Sequence, residues 1–222
     1  MVISPVQVKI CCVRSSEEAR TAVSFGAVAV GLVSEMPVGP GELSLAAIRE
    51  IVESVPSSVG TFLLTAVTDT DRLIEKVRAC GVNTLQLWDS LEPSEYARLR
   101  QELPALSIVQ AIQVIDRSSV HAAVETARLV DALVLDSSNR QAPLRWESQA
   151  GSTHDWDLSR QIVEIVDCPV LLAGGLTPDN VEFAVRTVRP YGVDVCTGVR
   201  TAGALDRRKL VSFVEAIRRI PA

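Results

Sequence analysis

The chain has no CxxC pair, and its two histidines, His121 and His154, stand far apart. The common zinc-binding spacings are therefore excluded. The five cysteines, Cys11, Cys12, Cys80, Cys168 and Cys196, are odd in number and scattered, which argues against a disulfide framework. No apolar run approaches the roughly 18 residues of a membrane span. The N-terminus has no basic segment ahead of a long apolar stretch, so no signal peptide is expected, and a cytoplasmic protein without membrane contact is. The formal net charge is −5 and no basic run gathers, which excludes a nucleic-acid footprint. No low-complexity linker or composition break divides the chain. No GxGxxG follows the first apolar run, so the dinucleotide fingerprint of an open doubly wound sheet is missing.

What is present is a regular alternation. The 222 residues, 47% of them hydrophobic, are enough for one sizeable core. Short β-branched runs at Val6–Val13, Ala27–Val33, Ser58–Thr65, Thr84–Asp89, Leu106–Val114, Ala132–Ser137, Pro169–Gly175 and Gly192–Val199 read as strands. Amphipathic segments fall between them, at Ser16–Phe25, Leu45–Val55, Thr70–Ala79, Pro93–Leu103, Ser118–Val130, Leu158–Val166, Pro178–Val188 and Arg207–Ile220. Ser15, Ser44 and Asp69 are suited to cap the first three helices, and Thr177 the seventh. Apolar strands separated by helices imply a parallel sheet. Eight such units predict an α/β fold, a single (β/α)8 TIM barrel over residues 1–222. The open doubly wound sheet is the competing architecture. Two connections are long, Ser34–Leu43 after the second strand and Ser138–Asp157 after the sixth, and such loops usually help cover a barrel's active site.

Barrel chemistry sits at the C-terminal ends of the strands. Cys11 ends the first strand on the face shared with Lys9 and Gln7. It can be a general base or a small buried hydrophobe, and Lys9 could help hold it as thiolate. Asp136 ends the sixth strand, as a general acid or as a turn-closing carboxylate. Gln86 and Trp88 point the same way at the end of strand four, where the indole either stacks on a ligand or plugs the barrel. Gln110 on strand five is either a ligand contact or a satisfied core amide. Asp155 or Asp157 can cap the sixth helix, and His121 reads as surface. After strand seven comes Gly174-Gly175, and after strand eight Asp194-Val195-Cys196-Thr197-Gly198-Val199. Two glycine-ended strands of this kind can present backbone N–H groups to a phosphate.

Taken in order, these pieces resemble the phosphoribosylanthranilate isomerase family of tryptophan biosynthesis. The resemblance runs through Val8-Lys9-Ile10-Cys11, Gly31-Leu32-Val33, Gln86-Leu87, Leu135-Asp136, Asp155-Trp156, Gly174-Gly175-Leu176, Arg189-Pro190, and Val193-Asp194-Val195 with Gly198-Val199. It implies an Amadori rearrangement of an N-linked phosphoribosyl amine, with no metal or cofactor, by a monomer or homodimer. By carry-over, Asp136 is the acid that opens the furanose and Cys11 the base that takes the C2 proton. Lys9, Gln86, Trp88, Gln110 and Asp194 are then substrate-side residues, and Gly174, Gly175, Gly198 and Val199 the phosphate cradle.

The chain also departs from the family. Gly39-Pro40-Gly41 replaces a Ser-Pro-Arg stretch whose arginine binds the anthranilate carboxylate. Trp88 replaces a histidine, Asp89 a glycine, Gln110 a lysine, Cys12 a glycine, and Ser152 a lysine. The arginine of the first loop, Arg14, falls one place early. Two readings follow: an anthranilate enzyme in which Arg14, Arg140 or Arg145 supplies the missing charge, or a paralogue acting on another phosphoribosyl amine. A barrel that binds a phosphorylated ligand without catalysis is a third. Indole-glycerol-phosphate synthase, another phosphate-binding barrel, fits less well, because that family's strand-end lysine and glutamate are not filled here.

Overall fold

The computed structural model describes residues 6–36, 42–137 and 155–220. Eight parallel strands close in sequence order: β1 (Gln7–Ile10), β2 (Ala29–Val33), β3 (Gly60–Thr65), β4 (Thr84–Leu87), β5 (Ser107–Gln113), β6 (Ala132–Asp136), β7 (Val170–Leu172) and β8 (Gly192–Val195). The barrel shuts where β8 pairs with β1 through Gln7↔Gly192, Val8↔Val193, Lys9↔Asp194 and Ile10↔Val195. Eight helices lie outside: α1 (Ser16–Ser24), α2 (Leu45–Glu53), α3 (Thr70–Cys80), α4 (Pro93–Glu102), α5 (Ser118–Ala127), α6 (Trp156–Ile165), α7 (Val181–Val188) and α8 (Arg207–Arg218). The expected barrel is therefore the architecture of the described residues.

Strand alternation divides the interior into two regions. One set of positions, including Ile10, Leu32, Leu63, Leu85, Ile108, Leu133 and Val193, packs outward with helix residues such as Ala22, Ile48, Leu73, Leu99, Ile162 and Phe213 in the main core. The alternate set fills the lumen. Val109, Val134, Leu171 and Ala173 cluster there. Above them, Cys11, Val33 and Leu64 pack with Phe62, Cys12, Met36 and Cys196.

The helix starts follow capping chemistry. Ser15, Ser44 and Asp69 accept hydrogen bonds from Glu18 N, Ala47 N and Arg72 N, and each leaves one fewer unpaired N–H at its helix end. Asp155 caps α6 by accepting from Asp157 N at 2.9 Å, which settles its local role as a capping side chain. The seventh helix is where the expectation fails. Thr177 is not its cap: α7 begins at Val181, and residues 177–180 form a preceding turn. Asn180 ties that turn, accepting from Thr177 N at 2.8 Å and donating to the Gly175 carbonyl at 3.0 Å. The strands are also shorter than the apolar runs, because glycine-rich turns begin right after Leu172 and Val195. Of the two long connections, residues 37–41 and 138–154 lie outside the described residues, and with them Gly39, Pro40, Gly41, Arg140, Arg145, Gly151, Ser152 and His154.

Candidate active site

At the closure of the barrel, Lys9 Nζ meets Asp194 Oδ2 at 2.6 Å, with the side chains only 1% and 6% exposed. Lys9 also lies 5.0 Å above the Phe62 ring. Burial works against both charges. At Lys9 the adjoining carboxylate outweighs burial, and the ammonium is held above its ordinary range. At Asp194 burial dominates, opposed by Lys9 and reinforced by the nearby Asp136 carboxylate, so the carboxyl is pushed up. Asp194 Oδ1 is buried and accepts no hydrogen bond among the described residues.

Cys11 lies one residue past β1 and is buried at 7% exposure. A Cβ built on Gly31 would lie 2.9 Å from Cys11 Sγ and 3.2 Å from Lys9 Nζ, so thiol and ammonium converge over that glycine. The expected shared face of Lys9 and Cys11 is therefore real, while the surroundings of the sulfur favour the thiol over the thiolate. The Cys11 thiol is pushed well above its ordinary range, first by its contact with Cys12, then by burial and by the Asp194 charge; Lys9 opposes these and loses. The ammonium is already matched by Asp194. The Cys12 and Cys11 sulfurs are 3.8 Å apart, and between two neutral thiols the weak bond can run either way. Cys12 adopts a left-handed conformation at φ 57°, the region a glycine occupies without cost.

Asp136 is the last residue of β6, in register with Gln113 of β5. Its carboxylate is felt by Asp194, and Asp194 by Cys11, so the three groups form one electrostatic neighbourhood at the mouth. Gln113 was not singled out in the sequence. It occupies a lumen-facing position beside Asp136, and its Nε2 is buried without a partner among the described residues. Gln86 also faces the lumen, 4% exposed, with Oε1 similarly unpaired. Trp88 follows it on the same parity and is half-buried, its backbone N–H held by the Thr65 carbonyl at 3.0 Å.

Gln110 is not a mouth residue. It faces the helical layer, fully buried: its Oε1 accepts from Tyr96 Oη at 2.7 Å, and its Nε2 donates to the Leu87 carbonyl at 3.1 Å. The substrate-contact expectation is overturned by parity, since Gln110 lies one residue away from the lumen positions Val109 and Ala111. It is a satisfied core amide.

The glycine ends of β7 and β8 pack tightly against their neighbours. Gly174 has φ 84°, and any Cβ there would run into Ser137, the residue after Asp136. A Cβ on Gly198 would run into the Leu176 carbonyl oxygen. After β8 comes a 3-10 turn, Thr197–Val199. The Val199 N–H is turned back to the Cys196 carbonyl at 3.4 Å, and the side chain is buried. Among the described residues, no three His, Cys, Asp or Glu side chains are grouped for a metal ion. A cavity of about 260 Å³ opens at the opposite end of the barrel, lined by Gln7, Gly60, Thr84, Ser107 and Tyr191 and reaching inward to Lys9 and Phe62.

The model of the N-(5'-phosphoribosyl)anthranilate isomerase family matches residues 8–216. The chain belongs to this family. An N-(5'-phosphoribosyl)anthranilate isomerase from Haloferax volcanii is 36% identical over 214 residues, covering 96% of this chain and 93% of that one. The phosphoribosyl anthranilate isomerase structure from Thermococcus kodakaraensis superposes with TM-score 0.81 at 27% identity, covering 96% of this chain and 99% of its own. Another, solved with reduced 1-(o-carboxyphenylamino)-1-deoxyribulose 5-phosphate, shares the fold at TM-score 0.79 and 24% identity, covering 96% of this chain and 98% of its own. Within a phosphoribosylanthranilate isomerase barrel, the mouth described here is the place for chemistry. Gln113 could have been found by counting parity back from Asp136. Glu18 and Arg200, which brace the first loop, carried no such signal, because they meet only when the barrel closes.

Proposed function

We propose that this barrel catalyses the Amadori rearrangement of N-(5'-phosphoribosyl)anthranilate to 1-(o-carboxyphenylamino)-1-deoxyribulose 5-phosphate, a step of tryptophan biosynthesis. The observation that carries the reading is that Cys11, just past β1, and Asp136, the last residue of β6, stand at the same C-terminal mouth of the barrel, in a chain of this family. The phosphate lies against the glycine turns after β7 and β8, held by backbone N–H groups around Gly174, Gly175 and Gly198. Asp136 gives a proton to the furanose ring oxygen as the C1–O bond breaks, and the amine nitrogen's lone pair forms the Schiff base. Cys11, as thiolate, removes the C2 proton, and those electrons neutralise the iminium to give an enolamine. Tautomerisation of the enol yields the ketone. One group must give a proton while the other takes one, and two unlike environments at the ends of separate strands, β1 and β6, suit that division. Lys9 and Asp194 fix the floor beneath both groups. Gln86 and Gln113 offer amide groups to the sugar, and Trp88 a flat wall to the aromatic ring. The enzyme works as one barrel domain in the cytoplasm, as a monomer or homodimer; among the described residues no helix is long and apolar enough to cross a membrane.

The test is turnover of freshly generated phosphoribosylanthranilate by the wild type, by Cys11→Ala and by Asp136→Asn. Turnover lost in both folded variants supports the assignment. A wild type that binds the substrate's phosphate but leaves the anthranilate compound unchanged points to a different amine, and undiminished turnover in either variant removes that residue from its role.

A further inference from the structure

We infer that Arg200 is a positioning residue for the general base: it clamps the turn carrying Cys11 to the loop that follows the phosphate-binding turn of β8. The inference rests on Cys11 acting as the base.

The chain leaves the sheet at Cys11. The Cys11 N–H still donates to the Val195 carbonyl at 2.8 Å, and the Val13 N–H to the Gly31 carbonyl at 2.9 Å. Between these ladder bonds Cys12 turns left-handed at φ 57°. That turn takes the carbonyls of Cys11 and Cys12 out of the strand pattern, in a region from which water is largely excluded. Buried carbonyls require donors. Arg200 supplies them: its Nη2 donates to the Cys12 carbonyl at 2.6 Å and to the Cys11 carbonyl at 3.3 Å. Arg200 is itself buried, 4% exposed.

The other side of the fork is anchored too. Nη1 donates to Glu18 Oε1 at 3.0 Å and to the Gly203 carbonyl at 3.1 Å, while Nη2 reaches Glu18 Oε2 at 3.1 Å. Glu18 then accepts from Leu205 N at 3.1 Å and from Arg14 N at 3.0 Å. Arg200 therefore ties three pieces of chain: the turn after β1, the start of α1, and the hairpin Arg200–Thr201 with Ala204–Leu205. The hairpin starts directly after the 3-10 turn Thr197–Val199. A planar, five-donor fork can hold two carbonyls and a carboxylate together; a single ammonium cannot. Because the same side chain follows the phosphate-binding turn and grips the base-bearing turn, the distance between the substrate's anchor and the atom that takes its C2 proton is set through Arg200.

Proton transfer is sensitive to such placement, and a shift of about 1 Å can cost roughly a hundredfold in rate. The experiment compares the wild type with Arg200→Met and Arg200→Lys. For Arg200→Met, folded by circular dichroism at the assay temperature, kcat is expected to fall by roughly ten- to a hundredfold. KM and the inhibition constant for inorganic phosphate should stay within a few fold. Arg200→Lys, with charge but no fork, should fall between the two. A folded Arg200→Met with wild-type kcat overturns the proposal, as does a loss confined to KM. If Arg200→Met does not fold, Arg200→Lys decides: reduced kcat at unchanged KM supports the clamp, and wild-type kcat refutes it. If the wild type itself does not turn over phosphoribosylanthranilate, the functional reading fails separately. Arg200 is then judged by the rate at which iodoacetamide alkylates Cys11, read by peptide mass. A changed rate in the folded variant supports positioning, and an unchanged rate overturns it.

Discussion

Replacing Lys9 by methionine tests the electrostatic floor of the mouth. The two charges are 2.6 Å apart and both more than nine-tenths buried. Methionine keeps most of the lysine's volume and its contact with Phe62 but removes the charge. Asp194 then remains as a buried carboxylate with Oδ1 already unpaired, facing Asp136 without the compensating cation. Breaking a buried pair from one side typically costs about 3–5 kcal/mol. In a domain of this size, each kcal/mol moves the melting temperature by roughly 2–4 °C, so a fall of about 6–20 °C is expected. Asp194→Asn is also destabilising, because it leaves the ammonium buried against little more than the ring. The double variant Lys9→Met/Asp194→Asn leaves no stranded charge and should recover much of the loss, so that the single costs do not add. The assay is urea denaturation of all four proteins at pH 7, followed by circular dichroism. A Lys9→Met cost below about 1 kcal/mol, in the range of an exposed pair, would refute the reasoning. So would a double variant whose cost equals the sum of the singles.

Four further outcomes follow from the geometry. The rise of kcat/KM with pH should continue past the ordinary thiol range, because the buried Cys11 sheds its proton late; Cys12→Gly removes the largest cause of that lift and should move the rise to lower pH, as pH–rate profiles of both proteins will show. Gln110→Met should leave KM unchanged yet lower stability by about 1–3 kcal/mol, since Tyr96 Oη loses its acceptor; a raised KM at unchanged stability would return Gln110 to the substrate. Gly198→Ala should weaken phosphate competition and destabilise the fold by more than about 2 kcal/mol, because the new Cβ meets the Leu176 carbonyl oxygen. Burial raises the Glu18 pKa, but the Arg200 bonds outweigh it and leave the carboxyl below its ordinary value. Its contribution to stability is therefore present above the unfolded pKa and lost as pH falls through the folded one. Glu18→Gln should accordingly flatten the acid limb of the stability curve below about pH 4.5, and an unchanged limb would contradict this.

The barrel was legible because its signal is repetitive: eight apolar runs, eight amphipathic segments, most opened by a capping residue, and glycines at two strand ends. Parity was harder. Gln110 drew notice as a polar residue in an apolar run, yet a strand's two faces differ by one residue, and the mouth belongs to Gln113 instead. Thr177 offered good capping chemistry three residues early, but Asn180 ties residues 177–180 into a turn and the helix starts after it. Cys11 is legible as a candidate base from its place at the strand end, but its surroundings are not: Lys9 is near enough to favour the thiolate, while Asp194, from the other end of the chain, pairs with the ammonium. The Arg200–Glu18 brace was invisible for the same reason, since no local pattern pairs residues 182 positions apart.

The seam between β1 and β8 has a bearing on how the protein is made. Lys9 and Cys11 emerge from the ribosome well before Asp194, Gly198 and Arg200. Cys11 lacks the Lys9–Asp194 pair beneath it and the Arg200 brace until β8 slots beside β1. A product clipped before β8 therefore keeps Cys11 and Asp136 but lacks Asp194, Gly198 and Arg200, and activity in a cell extract counts closed barrels rather than chains.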